Sequence, residues 1–137
     1  MRLGITQHPR AGEIFLGLAA LYWGAVVALW PGSPGLGWAG LDYQQSRATG
    51  IAVILSSLVL AIGCRINGRW RWSPVVRLVG VGGLTGVALF LAWHALYAAA
   101  SAWAVYSFVA AVSVVVWVNT AVDVAALVRG VWDAGRR

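Results

Sequence analysis

Charge is scarce in this chain. Only 10% of its 137 residues are charged, lysine is absent, and the acids are four: Glu13, Asp42, Asp123 and Asp133. A soluble domain carries about a quarter charged residues. Too few are present here to solvate a globular surface, which excludes an ordinary soluble enzyme and a disordered tail. Cysteine occurs once, at Cys64, so no internal disulfide forms and the residue reads as a small hydrophobe. The two histidines, His8 and His94, lie on opposite sides of the apolar runs and make no metal or haem set with that cysteine. His94 and Asp123 belong to opposite leaflets, so no Ser-His-Asp triad can assemble. The expectation is a protein that is not an enzyme and holds no cofactor.

What is present is apolar: 61% of the residues are hydrophobic and the mean hydropathy is +0.78. A membrane span needs roughly 20 mostly apolar residues. Ile14–Trp30, Ala48–Cys64, Val75–Ala100 and Ala102–Val128 meet that need. Lipid cannot satisfy open backbone groups, and the runs are too continuous for a barrel, so each is read as a helix. The chain is therefore expected to be an all-α integral membrane protein, a single domain over 1–137 with helices at about 12–30, 48–65, 74–100 and 102–129. The first run leads into Leu29-Trp30-Pro31-Gly32, which is no small-x-small cleavage site, so it is read as a retained helix.

The connections differ in character. Pro31-Gly32-Ser33-Pro34-Gly35 is turn chemistry, and Trp38, Leu41 and Tyr43 after it suit an interfacial segment. Asn67-Gly68 ends the second helix, while Ser73-Pro74 reads as N-cap and first-turn proline of the third. Ala100-Ser101 leaves a tight hairpin between helices three and four.

Arginine sets the orientation. Arg2, Arg10, Arg65, Arg69, Arg71, Arg77, Arg129, Arg136 and Arg137 fall on one side of a four-span chain, and Arg47 alone falls on the other. Loops rich in basic residues stay cytoplasmic, so both termini are expected there. Arg65, Arg69, Trp70, Arg71 and Trp72 then form an inner-surface patch suited to anionic headgroups or a protein partner, and not to nucleic acid. Trp30, Trp38, Tyr43, Trp93, Tyr97, Trp103 and Tyr106 form the opposite belt, with Trp23 and Trp117 deeper as packing residues.

Helices in lipid associate through small residues. Gly82 and Gly86, with Ala88 and Ala92, mark a stripe on the third helix, and Gly17 and Gly24 mark one on the first. The stripes serve packing within the bundle, self-association, or docking to a larger complex. Among polar residues at membrane depth, Arg77 and Asp123 are expected to pair, with Asn119 on the same helix face as Asp123. A proton relay is disfavoured because no second acid is expected beside Asp123. Glu13 precedes the apolar run, so it is read as a first-turn acid pairing with Arg10 rather than an interior carboxylate of a small transporter.

The stretch Ile66-Asn67-Gly68-Arg69-Trp70-Arg71-Trp72-Ser73-Pro74-Val75-Val76-Arg77 resembles one in short four-span membrane proteins of tailed bacteriophages, some of them holin-like. The likeness extends in architecture to the His-Pro before the first span, the Gly/Pro-rich loop and the tight last hairpin. It implies a viral source and the inner membrane of a bacterial host. The function expected is a noncatalytic structural or accessory subunit of a membrane or virion assembly. The alternatives are a holin-like protein that oligomerises and permeabilises the membrane, and, third, a small transporter.

Overall fold

A computed structural model describes residues 10–32, 38–67, 69–98 and 100–130. Among them are four long helices, α1 (Ala11–Leu29), α2 (Tyr43–Arg65), α3 (Ser73–Ala95) and α4 (Ala100–Val128), and no strand. Each is long and apolar enough to cross a membrane. The architecture is that of a multi-pass membrane protein.

Three boundaries differ from the expectation. α2 begins at Tyr43, well before Ala48, because Asp42 caps it. The Gln45 N–H donates to Asp42 Oδ1 at 2.7 Å, and the Asp42 N–H donates back to Gln45 Oε1 at 3.1 Å. This reciprocal box outweighs the polarity of Gln44, Gln45 and Ser46, which made the stretch read as loop. α3 stops at Ala95 rather than Ala100, and residues 96–99 connect it to α4, which starts at Ala100. The hairpin therefore spends a short turn that hydropathy alone absorbed into the helix. Ser73 is the first helical residue rather than the cap, which is Trp72. The Ser73 hydroxyl instead donates to Asn67 Oδ1 at 3.1 Å and ties the connection closed. A 3₁₀ turn, Trp38–Gly40, with Ala39 at φ 53°, leads to Leu41, which is buried beneath α3 residues Leu91 and Ala95.

The helices pack as successive antiparallel neighbours, α1 on α2, α2 on α3 and α3 on α4, with much lighter contact between α1 and α4. Two glycine-mediated approaches set the pairs. A Cβ on Gly50 would lie 2.6 Å from the Ala28 nitrogen and 2.9 Å from the Gly24 carbonyl, so α1 and α2 touch backbone to backbone there. A Cβ on Gly80 would lie 2.5 Å from the Leu60 nitrogen, which fixes α3 against α2. Val53, Leu60, Val81 and Leu84 fill the centre. The outward surface is hydrocarbon, with Phe15, Tyr22 and Phe108 more than two-thirds exposed, whereas the largest fully buried side chain is Arg77. That inversion suits lipid as the solvent.

Candidate functional site: a buried charge cluster

Arg77 lies in the second turn of α3 and has no exposed surface. A guanidinium carries five donors in a planar fork and suits two carboxylates at once. Its Nη1 donates to both Glu13 oxygens at 2.7 Å, and its Nη2 donates to Asp123 Oδ2 at 2.9 Å. Nε is buried with no described partner. Glu13 comes from the first turn of α1, and Asp123 from near the end of α4; both are buried. The Thr120 hydroxyl, one turn before Asp123, stands 2.7 Å from Glu13 Oε1 and 2.9 Å from the Val116 carbonyl, so its one proton serves either acceptor. The Cys64 thiol, at the end of α2, donates to Glu13 Oε2 at 3.7 Å. All four helices thus meet at one end of the bundle through side chains.

Arg10 sits just before α1, half-buried. Burial, and then the nearby Arg77 cation, lower its pKa, while Glu13 and Asp123 act the other way. Arg10 and Arg77 thus lie beside the two carboxylates, and the ion pairs of the cluster are those of Arg77. Toward the other end the cluster is closed off by Val53, Leu60, Val81 and Leu84. Of the hydroxyls beyond that layer, Thr85 donates to the Ser113 carbonyl at 3.2 Å and Ser113 to the Val109 carbonyl at 2.8 Å, while that of Ser46 is buried without a described partner. Among the described residues no three His, Cys, Asp or Glu side chains gather where a metal could bind.

The structure brings Arg77 and Asp123 together, and it corrects three expectations around them. Glu13 is an interior carboxylate held by Arg77, not a surface acid held by Arg10. The apolar run begins after it, but its side chain turns inward among three other helices, and sequence position alone does not report that. Glu13 is also the second acid expected to be missing beside Asp123. Asn119 does not join the cluster. It is exposed, because the rotation of α4 that buries Asp123 also buries Thr120 and turns Asn119 outward. The sequence signal for Glu13 was its end of the bundle: it is the one described acid besides Asp123 at the arginine-rich end.

The small residues divide by face. Gly24 and Ala88 are buried, Ala92 is half-buried, and Gly17 stands beside Leu60. Gly82 lies under the Trp117 ring, with a Cβ there 3.2 Å from Nε1, and Gly86 has open space above it. Trp23 packs edge-on against Trp38 and Tyr106, with centroids at 6.0 and 6.3 Å. His94 stacks near Phe90, at 4.5 Å, on α3 at the far end from the cluster. Arg65, Arg69, Trp70, Arg71 and Trp72 are exposed, and the Arg71 guanidinium lies 5.7 Å from the Trp72 ring centre. Arg2, His8, Trp132, Asp133, Arg136 and Arg137 lie outside the described residues.

Comparison with known proteins finds no matching family model, no similar curated protein and no similar solved structure.

Proposed function

We propose that this chain is a noncatalytic integral membrane protein that docks into a larger membrane or virion-associated assembly, with both termini in the cytoplasm of a bacterial host and the span in its inner membrane. The observation that carries the docking is the outward notch on α3. Gly86 is exposed with nothing above it, Gly82 a turn away is covered by the Trp117 ring, and Val79, Leu89, Phe90 and Trp93 stand around Gly86 as large exposed hydrophobes. A small-residue notch in a lipid-facing helix admits a second helix at close range. The interior polar groups support the absence of transport. The charged ones bond one another at one end of the bundle, and the buried polar groups beyond the apolar layer are uncharged hydroxyls. The arginine distribution supports the orientation, and the basic connection between α2 and α3 then lies against anionic headgroups.

The same notch serves self-association in a holin-like protein, which the likeness of the Ile66–Arg77 stretch favours. One experiment separates the two. Gly82→Leu with Gly86→Leu should release a copurifying partner in mild detergent while expression stays harmless. A holin-like protein instead collapses the membrane potential abruptly after induction, and the double variant shifts that timing. Harmless expression with no partner and no self-association overturns both. Reporter fusions at Arg137 and within residues 38–42 should report opposite sides, and identical signals would end the four-span topology.

A further inference from the structure

α1 packs chiefly on α2. The two helices meet backbone to backbone at Gly24 and Gly50, and toward the arginine-rich end a cleft of about 380 Å³ lies between them. Ile14, Leu18, Leu21, Leu60 and Ala61 give the cleft hydrocarbon walls, and Arg65 lines its end. Arg65 is exposed and forms no ion pair with a described acid. Arg10 stands at the same end. Glu13 also lines the cleft, but Arg77 and Thr120 already occupy its oxygens.

We propose that this cleft binds one anionic phospholipid of the surrounding bilayer, with an acyl chain between α1 and α2 and the phosphate on Arg65. Ser57 and Cys64 also line the cleft, and the Ser57 hydroxyl, buried without a described partner, is one free polar group where ordered water needs two to four. Both walls are membrane-spanning helices, so bilayer lipid is the neighbour at hand. An unpaired arginine at headgroup level selects a phosphate. The second cleft, about 470 Å³ between α1 and α4 at the far end, is lined by Trp23, Trp38, Leu91, Tyr106 and other residues without charge. It lacks the cation that would choose a headgroup. The inference rests on the membrane-spanning reading above and is independent of any partner at Gly82 and Gly86.

The test uses the full chain, purified in mild detergent, delipidated, and titrated in native mass spectrometry. The probes are phosphatidylglycerol, phosphatidylcholine of the same chains, and glycerol 3-phosphate. One phosphatidylglycerol should bind in preference to phosphatidylcholine, and glycerol 3-phosphate should not compete. Arg65→Gln should weaken binding about fivefold and flatten the headgroup preference, while Arg71→Gln, on the connection, should bind as the unmodified chain does. Ala61→Phe, at an exposed wall position, should abolish retention, with an unchanged melting temperature showing that the fold survives. If that variant melts early, Leu18→Trp fills the cleft from α1 instead. Full retention in a folded, filled cleft overturns the site. Equal loss in Arg71→Gln means diffuse attraction and also overturns it, as does competition by glycerol 3-phosphate. Lipid retention with unchanged behaviour of the Gly82→Leu, Gly86→Leu variant would defeat the docking reading alone.

Discussion

The two ends of this bundle are held by different forces. At the arginine-rich end, α1, α3 and α4 meet through charge-assisted bonds radiating from one guanidinium, and α2 adds a thiol. At the far end, α1 and α2 meet backbone to backbone at Gly24 and Gly50, while Trp23, Trp38 and Tyr106 pack edge to face. Hydrophobic burial discriminates little between helix pairings in lipid, because tails are as apolar as leucine. The charged end supplies direction, since a planar fork accepts only a few carboxylate positions. The glycine end supplies distance, since only a residue without a side chain admits that approach. α1 takes part in both, and a cleft lies along it on the α2 side and another on the α4 side.

The comparison predicts a ranking. Arg77→Met should be the most damaging change, because it leaves two carboxylates buried without their cation. Removing one partner of a buried pair costs about 3–5 kcal/mol, read as an early melt in detergent. A milder result than Gly50→Leu would mean that the polar end is not the stronger clamp. Next, Glu13→Gln and Asp123→Asn should couple to Arg77→Met in double-mutant cycles by about 0.5–3 kcal/mol. Additive effects would show that the bonds do not form in the membrane. Gly50→Ala should cost about 1–3 kcal/mol by overpacking against Ala28 and should spare the cycle energies at the other end. Trp38→Leu should lose about 0.5–1.5 kcal/mol with its ring contact to Trp23, visible as a shift in tryptophan fluorescence. Asn119→Leu should lie within about 0.5 kcal/mol of the parent, whereas Thr120→Val removes a hydroxyl from Glu13. Equal losses at 119 and 120 would contradict the rotation of α4.

The sequence revealed class and span number because the scarcity of charge and the long apolar runs are properties of whole segments. It also placed Arg77 and Asp123 at one level, since both lie near helix ends on the basic side. Rotation was harder. Asn119 and Thr120 are adjacent on α4, and choosing which one faces inward needs the neighbouring helices. Glu13 was misread for a related reason: its distance into the apolar run is short, yet three helices surround its side chain. Gly24, marked by the small-residue pattern, does make an interior contact, whereas Gly50 and Gly80 gain their close approaches from partners on other segments and Gly86 faces outward. The start of α2 is legible in Asp42-x-x-Gln45, a capping box that hydropathy does not register.

The cluster is assembled from distant parts of the chain, with Glu13 near its beginning, Arg77 in its middle and Asp123 near its end. Synthesis delivers these residues in that order. The first acid follows Arg10 and precedes Arg65, and Arg77 is its earliest buried counterion. The last helix then brings a second carboxylate to a guanidinium already engaged, and Nη2 is the donor left for it. Charge compensation is therefore staged along the length of the nascent chain, and the fourth helix closes an arrangement that the first one opened.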